Sequence, residues 1–268
     1  MEKSRTYKIR SFINLILTAL SPKARGINLV YAYLYGMTCH FMFAIAVIAM
    51  IYHMFYGMQK SYGNLEGVLA IMANGALILQ FPLAHSFLLS QRGQKILSLL
   101  GPKDLAISLS TTSFTIVASI QLFVLFMLWS PSKIVFELPF EFLIYILPIL
   151  YCLSWFLLIV ATIDAGLEVQ SGALGWISAL ARKKPKFPEL PTTGLYRIIR
   201  HPIYASFFLA VLTVPTWTAD QIVVSLILGG YCIFAQILKD RRLIERHGEK
   251  YLRYKNTTPY MLPSKIIK

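Results

Sequence analysis

The sequence contains several long runs without a charged side chain, and these runs constrain the fold more than any other feature. The hydrocarbon core of a bilayer requires about 20 apolar helical residues, with roughly 17 as the lower limit. Charged residues make up 14% of the 268 positions and hydrophobic residues 56%, whereas about a quarter of a soluble domain is charged. The chain is therefore predicted to be an all-α integral membrane protein.

The positions of the apolar runs predict about six membrane-spanning helices, the last two forming a short helical hairpin. Pro82 lies within the second predicted span and favours a kink there. The hairpin is predicted to turn near residues 215–220. The six predicted spans are 29–55, 67–90, a helix within 105–132, 142–163, 203–219 and 221–238.

Lysine and arginine are distributed unevenly between the two sides that these spans define. Of the 26 basic residues, 24 fall on the side of the two termini, and only Lys60 and Lys133 fall on the other. Cytoplasmic segments carry such an excess, so both termini and a helical C-terminal tail are predicted to be cytoplasmic. The net charge of +14 does not indicate nucleic-acid binding, because the basic residues flank apolar runs and do not alternate with aromatic ones.

The predicted spans divide the chain into four segments. Residues 1–28 form a cytoplasmic or interfacial segment, in which 11–20 is interpreted as an amphipathic helix. A signal peptide is the alternative, but its cleavage would leave Lys23 and Arg25 on the wrong side. Residues 29–163 form a four-helix membrane platform, 164–193 a cytoplasmic linker rich in proline and lysine, and 194–268 the hairpin with the tail.

Cysteine and histidine spacing gives no indication of a metal site. Cys39, Cys152 and Cys232 each lie within an apolar run, and no CxxC pair is present. Neither a disulfide framework nor a zinc site is therefore expected. No HxxxH spacing or paired carboxylates suggest another metal.

The residues best suited to chemistry lie in the last segment. Pro202 suits the first turn of a helix, so His201 is predicted to lie at a helix start, where free N–H groups attract an anion. Residues that only anchor helices at a membrane interface would follow the same pattern, so that alternative stays open. Further basic, acidic and aromatic side chains are predicted at the same membrane edge: Arg197, Arg200, Asp240, Tyr251 and Tyr254.

The order of the motifs in this segment resembles a known superfamily. GLYRIIRHPIY (194–204), KDRRL (239–243), HGEKYLRY (247–254) and PYMLP (259–263) resemble the isoprenylcysteine carboxyl methyltransferases, a group that includes phospholipid methyltransferases and NnrU-like proteins. The whole chain is most similar to bacterial methanethiol S-methyltransferases, including AHS (84–86) and IDAGL (163–167). The resemblance implies S-adenosylmethionine as cofactor, a small thiol as methyl acceptor and a bacterial inner membrane as location.

The resemblance also implies roles for individual residues. Arg200, His201 and His85 are the candidate catalytic residues, although His85 could also be a packed histidine. The family usually has two adjacent glutamates after the last span, whereas Lys239 and Asp240 stand here. The candidate cofactor-binding residues are Tyr196, Arg197, His201, Pro202, Tyr204, Asp240, Tyr251 and Tyr254.

Two other functions stay open at this point. One is methylation of a lipid or isoprenoid substrate that reaches the site from the membrane. The other is an accessory protein of the NnrU-like kind or a transporter. Transporters usually place charged residues inside their spans, and the predicted spans carry none at mid-membrane, which disfavours transport.

Overall fold

The structure, a computed structural model, describes residues 5–262, and this part of the chain is mainly helical. A π-helix, Ser225–Gly229, joins the helices Ala219–Val224 and Gly230–His247 into one continuous helical run. In chain order the helices are α1 (Arg5–Ala19), α2 (Gly26–Phe55), α3 (Gly67–Leu88), α4 (Gln91–Leu99), α5 (Ala106–Leu128), α6 (Leu143–Ala165), α7 (Leu167–Gln170), α8 (Ala173–Leu180), α9 (Leu195–Ile198), α10 (Pro202–Leu212), α11 (Ala219–Val224), α12 (Gly230–His247) and α13 (Glu249–Thr257).

Within residues 5–262, five helices are long and apolar enough to cross a membrane: α2, α3, α5, α6 and the run Ala219–His247. This is the architecture of an integral membrane protein, and the all-α prediction is confirmed. The last long helix continues to His247, so residues predicted to begin the tail at position 239 belong to that helix.

The region of the fifth predicted span differs from the prediction. Its helix, α10, has 11 residues and a length of about 16 Å, roughly half of a hydrocarbon core. The chain leaves the helix before Pro215, which has no N–H to donate. The segment after α10 pairs instead with residues 134–136, where Phe136 N donates to Trp217 O over 2.9 Å and Ala219 N to Ile134 O over 3.1 Å. The number of membrane crossings stays a prediction.

A buried carboxylate fastens this segment to the end of the bundle where α2 and α5 finish. Asp220, at the start of α11, is 5% exposed. Its oxygens accept hydrogen bonds from Gln59 Nε2 over 2.8 Å and from Trp129 Nε1 over 2.9 Å. Ser132 also donates its N–H to Asp220 over 2.9 Å. Asp220 therefore has a structural role at this end, which is opposite to the end where α10 begins and α12 finishes.

The segment predicted to be a linker, 164–193, contains two short helices, and α8 packs between α2 and α5. Trp176 on α8 donates its backbone N–H to Thr112 over 3.0 Å and its indole N–H to His40 over 3.1 Å. Gly36 of α2 lies directly against the indole, where an added Cβ would come within 2.5 Å of a ring atom. Close packing therefore holds this segment against the bundle.

Asp164, near the end of α6, connects three parts of the chain. Its two carboxylate oxygens accept hydrogen bonds from Arg5 Nε and Nη2, each over 2.8 Å. One of them also accepts the backbone N–H of Leu195 over 2.9 Å. A carboxylate with bidentate Arg geometry holds its partners in one orientation, so Asp164 ties α1 to the chain that leads into α10.

Candidate functional site

The end of the bundle where α10 begins and α12 finishes contains a buried polar network, which we call the Asp240 network. His201 Nε2 donates to Asp240 Oδ1 over 2.8 Å, and the Tyr251 hydroxyl donates to the same oxygen. Arg200 and Lys255 lie 3.5 and 3.4 Å from the other oxygen, Oδ2. Because Arg200 and His201 directly precede α10 while the other members lie on α12 and α13, the network fixes these three helices relative to one another.

The local sequence places His201 in this network. Pro202 occupies the first position of α10, where its missing N–H leaves no helical hydrogen bond unmade. His201 therefore precedes the first turn and is 0% exposed. The predicted helix start at His201 and Pro202 is confirmed by the fold.

The imidazole of His201 is neutral near pH 7. Burial lowers its pKa and outweighs the hydrogen bond to Asp240, which acts in the opposite direction. The hydrogen-bond pattern agrees, because Nδ1 is buried without a hydrogen-bond partner and a proton on it would be an unsatisfied buried donor.

This lowered pKa predicts a pH dependence of stability. The pKa of a histidine in an unfolded chain is about 6.5. Below that pH the unfolded chain therefore binds a proton that folded His201 does not. The stabilisation is present above about pH 6.5 and is lost as the pH falls towards the folded pKa. We expect the thermal midpoint of detergent-solubilised protein to fall between pH 7.5 and 5.5, and to fall less in His201→Gln. A midpoint that rises on acidification would contradict the neutral assignment.

The tail folds back over the Asp240 network. Tyr254 donates its hydroxyl to Tyr196 O over 2.5 Å, and Arg200 donates its backbone N–H to Pro259 O over 2.9 Å. The Tyr196 hydroxyl is buried without a hydrogen-bond partner. Burial raises the pKa of Tyr196, Tyr251 and Tyr254, so these phenols are neutral donors at physiological pH.

A cavity of about 640 Å³, which we call the main cavity, lies beside this network between α2, α3, α5 and α12. Pockets for small ligands have volumes of about 300–1,000 Å³. His85 of α3 and Tyr204 of α10 line it, so the structure brings these two predicted residues to one site. Its other polar lining includes the side chains of Gln94, Thr111, Gln170, Lys239, Arg242 and Arg246.

Two polar atoms of the main cavity lack partners. His85 Nδ1 and Thr111 Oγ1 are buried and make no hydrogen bond within the described chain. The ring of His85 lies 5.0 Å from that of Phe81 and 4.9 Å from that of Phe114, measured between centroids. Buried polar atoms are nearly always satisfied, so these two atoms are exceptions within residues 5–262. Thr111 Oγ1 lies against Gly175 of α8, where an added Cβ would come within 2.5 Å of it.

Lys239 and Asp240, the pair that departs from the family pattern, face two different sites. Successive residues of an α-helix point about 100° apart, so Lys239 and Asp240 cannot share a surface. Lys239 lines the main cavity, with Nζ 5.2 Å from the centre of the Tyr204 ring. Asp240 points into the buried network. Nothing in the residue types of the pair indicates this division, which depends on the position of α12.

The predicted site residues therefore fall into two groups and one outlier. His85 and Tyr204 line the main cavity, whereas Arg197 is exposed and does not line it. Sequence reasoning missed Lys239, Arg242 and Arg246, although their spacing of three and four residues could have indicated a shared helix face. The remaining predicted residues are members or neighbours of the Asp240 network: Tyr196, Arg200, His201, Pro202, Asp240, Tyr251 and Tyr254.

A second cavity of about 530 Å³ lies around Asp164. Lys8, Lys186 and Lys250 line it together with acidic side chains, among them Asp164 and Glu168. Because both signs of charge are present, this cavity has no preference for one ion. Among residues 5–262, no histidine lines this second cavity.

The main cavity fits S-adenosylmethionine, the cofactor that the sequence resemblance implies. Lys239 and Arg242 can receive its carboxylate, because cationic donors form the strongest hydrogen bonds to such groups. The rings of Phe81, Phe114 and Tyr204 can contact its base and its sulfonium. Residue types and volume therefore both suit this group.

Comparisons with known proteins agree with the sequence resemblance. Over 197 residues the chain is 28% identical to a methanethiol S-methyltransferase of Pseudomonas deceptionensis, a match that covers 73% of this chain and 74% of that protein. It is 24% identical over 252 residues to methanethiol S-methyltransferase 1 of Bradyrhizobium diazoefficiens, covering 91% and 87%.

A third relative, a methanethiol S-methyltransferase of Crocosphaera subtropica, is 25% identical over 242 residues, covering 87% of this chain and 92% of that protein. No family model matches the chain, and no solved structure matches it. The predicted similarity to methanethiol S-methyltransferases is confirmed over most of the length of the chain.

Proposed function

We propose that this chain is an integral membrane methyltransferase that transfers a methyl group from S-adenosylmethionine to a small thiol such as methanethiol. The observation that carries the proposal is the main cavity, in which His85, with its unsatisfied Nδ1, lies together with aromatic rings and cationic side chains. Similarity to proteins named methanethiol S-methyltransferase supports the same reaction. In this proposal, the end of the bundle that holds the main cavity faces the cytoplasm of a bacterial cell, as the distribution of basic residues predicts.

The cofactor would be held by side chains from two helices. Lys239 or Arg242 of α12 would bind its carboxylate, and Tyr204 of α10 would contact its base or sulfonium. When bound, S-adenosylmethionine supplies a methyl group on a positively charged sulfur, which a thiolate can accept directly. Phe81 and Phe114 exclude water from the reacting atoms, which strengthens the electrostatic interactions inside the cavity.

His85 accepts the proton of the thiol. The thiolate, not the thiol, is the nucleophile, so a proton acceptor in the cavity speeds the reaction at neutral pH. A neutral imidazole has one nitrogen that accepts a hydrogen bond, and His85 lines the cavity in which the thiol would bind. The positive charges of Lys239 and Arg242 favour the anionic form of the acceptor in the same space.

The Asp240 network positions the groups that line the cavity. Asp240 directly follows Lys239, and His201 precedes Tyr204 by less than one helical turn. Holding His201 against Asp240 therefore holds the ring of Tyr204 against the ammonium group of Lys239. Direct contacts from the cofactor to Arg200, His201, Asp240 or Tyr251 stay predictions.

The deciding experiment incubates purified protein with methyl-labelled S-adenosylmethionine and one acceptor at a time. The panel is methanethiol, ethanethiol, hydrogen sulfide, prenylcysteine and phosphatidylethanolamine. We expect label in the volatile thioethers formed from the small thiols. Label in the phosphatidylethanolamine or prenylcysteine fraction alone would replace the thiol by a lipid substrate. Absence of label together with absence of cofactor binding in calorimetry would contradict a methyltransferase.

A further inference from the structure

Three basic residues of α12 form a line along one wall of the main cavity. Lys239, Arg242 and Arg246 are separated by three and four residues, which places them on one helix face. All three line the main cavity, and we call them the basic stripe. The stripe extends over about 10 Å along the helix axis.

The positive charge of the basic stripe is not balanced inside the cavity. Among residues 5–262, no aspartate or glutamate lines the main cavity, and no carboxylate forms an ion pair with a member of the stripe. Two acids adjoin the stripe in sequence. Asp240 is already bound by Arg200, His201, Lys255 and Tyr251, and Glu245 is exposed and does not line the cavity. Lys239 and Arg242 are half-buried, whereas Arg246 is exposed. Because removing a charge from water without a partner is unfavourable, the two half-buried charges favour anionic ligands.

The cofactor cannot supply enough negative charge. S-adenosylmethionine carries one carboxylate, but it also carries a sulfonium and an ammonium group, so its own net charge is positive. Its binding would occupy one part of the stripe and add to the positive charge elsewhere in the cavity. A neutral acceptor such as methanethiol offers only the charge that appears when its thiol ionises.

We infer that the preferred methyl acceptor is a small thiol with a second, permanently anionic group, a carboxylate or a sulfonate, which binds to the basic stripe. This inference rests on the proposed function and specifies its substrate class. The thiol proton passes to His85, and the thiolate sulfur bonds to the methyl carbon as the bond from that carbon to the sulfonium sulfur breaks, which leaves S-adenosylhomocysteine. The anionic end stays on whichever of Lys239 and Arg242 the cofactor carboxylate leaves free. The anionic group of the acceptor also compensates the positive charge that the cofactor adds. Each ligand therefore strengthens the binding of the other, and by thermodynamic linkage the two effects are equal.

A matched pair of acceptors tests the substrate class. Propanethiol and 3-mercaptopropionate have the same chain length and differ in a terminal methyl or carboxylate. We expect wild-type kcat/KM to be at least about tenfold higher for 3-mercaptopropionate, because a hydrogen bond to a charged group changes an equilibrium by roughly that factor. Lys239→Gln and Arg242→Gln should each reduce this ratio by about tenfold. Arg253→Gln, which removes an exposed charge outside the cavity, should leave the ratio unchanged.

A binding measurement separates failure of this inference from failure of the proposed function. Calorimetry should show that 3-mercaptopropionate binds more tightly when S-adenosylhomocysteine is present, and that Lys239→Gln weakens this binding while Arg253→Gln does not. Equal rates for the two thiols, or a ratio insensitive to the stripe, would overturn the inference and leave thiol methylation intact. If neither thiol is methylated, the proposed function fails. Binding that depends on Lys239 would then still support an anion site, and absence of binding would refute it.

Discussion

Replacing Asp240 by asparagine is expected to lower the free energy of unfolding by about 3–5 kcal/mol, the usual cost of removing one partner from a buried ion pair. The carboxylate is 5% exposed, and its oxygens contact His201, Arg200 and Lys255 at 2.8, 3.5 and 3.4 Å. Asparagine keeps a hydrogen-bond acceptor but leaves two cationic side chains without an anion. Chemical unfolding in detergent micelles, followed by circular dichroism, measures the difference.

Glu245→Gln is the matched control for this prediction. Glu245 is also an acidic residue of α12, but it is exposed, so we expect its replacement to change stability by less than about 0.5 kcal/mol. Equal effects of the two substitutions would show that the Asp240 network contributes nothing beyond surface charge. Asp240→Asn should also weaken cofactor binding, because it releases α10 and α12 from their relative positions.

Replacing His85 by glutamine is expected to reduce kcat by about 10²–10⁴-fold, the usual contribution of a proton-transferring side chain. Glutamine fills similar space but cannot accept the thiol proton. The rate of the variant should recover as the pH approaches the pKa of the free thiol, because the acceptor then ionises without help. Stopped assays across a pH series, together with calorimetry of S-adenosylhomocysteine binding, measure both effects.

His53→Gln provides the comparison for His85. His53 of α2 is another buried histidine, 2% exposed, but it contacts Met127 and Ser61 at the opposite end of the bundle. We expect this variant to retain its kcat. A normal kcat in His85→Gln would exclude His85 as the proton acceptor, and a loss of cofactor affinity with unchanged kcat would assign it to cofactor binding.

The helical architecture could be predicted from the sequence because the signal is local. The predicted spans 29–55, 67–90, 142–163 and the helix within 105–132 agree with α2, α3, α6 and α5. A helix satisfies its backbone hydrogen bonds within the segment, so a sufficiently long apolar run specifies a membrane helix without knowledge of its neighbours. The start of α10 was equally local, because it depends on Pro202 alone.

The end of α10 could not be predicted in the same way. Pro215 is a local obstacle to continuing the helix, but the pairing of the following backbone with residues 134–136, about 80 positions earlier in the chain, has no local signal. The packing of α8 beside α2 depends likewise on Gly36 and Trp176, which are distant in sequence. Contacts of this kind leave no periodic signal in either segment.

The sequence by itself determined the membrane class, most of the long helices, the helix start at His201 and the similarity to methanethiol S-methyltransferases. Only the tertiary structure decided how the candidate residues divide between the Asp240 network and the main cavity. It also brought the basic stripe against His85, which lies on another helix. The physical reason is that residue type and spacing specify the helix face on which a side chain lies, whereas its surroundings depend on which other helices pack there.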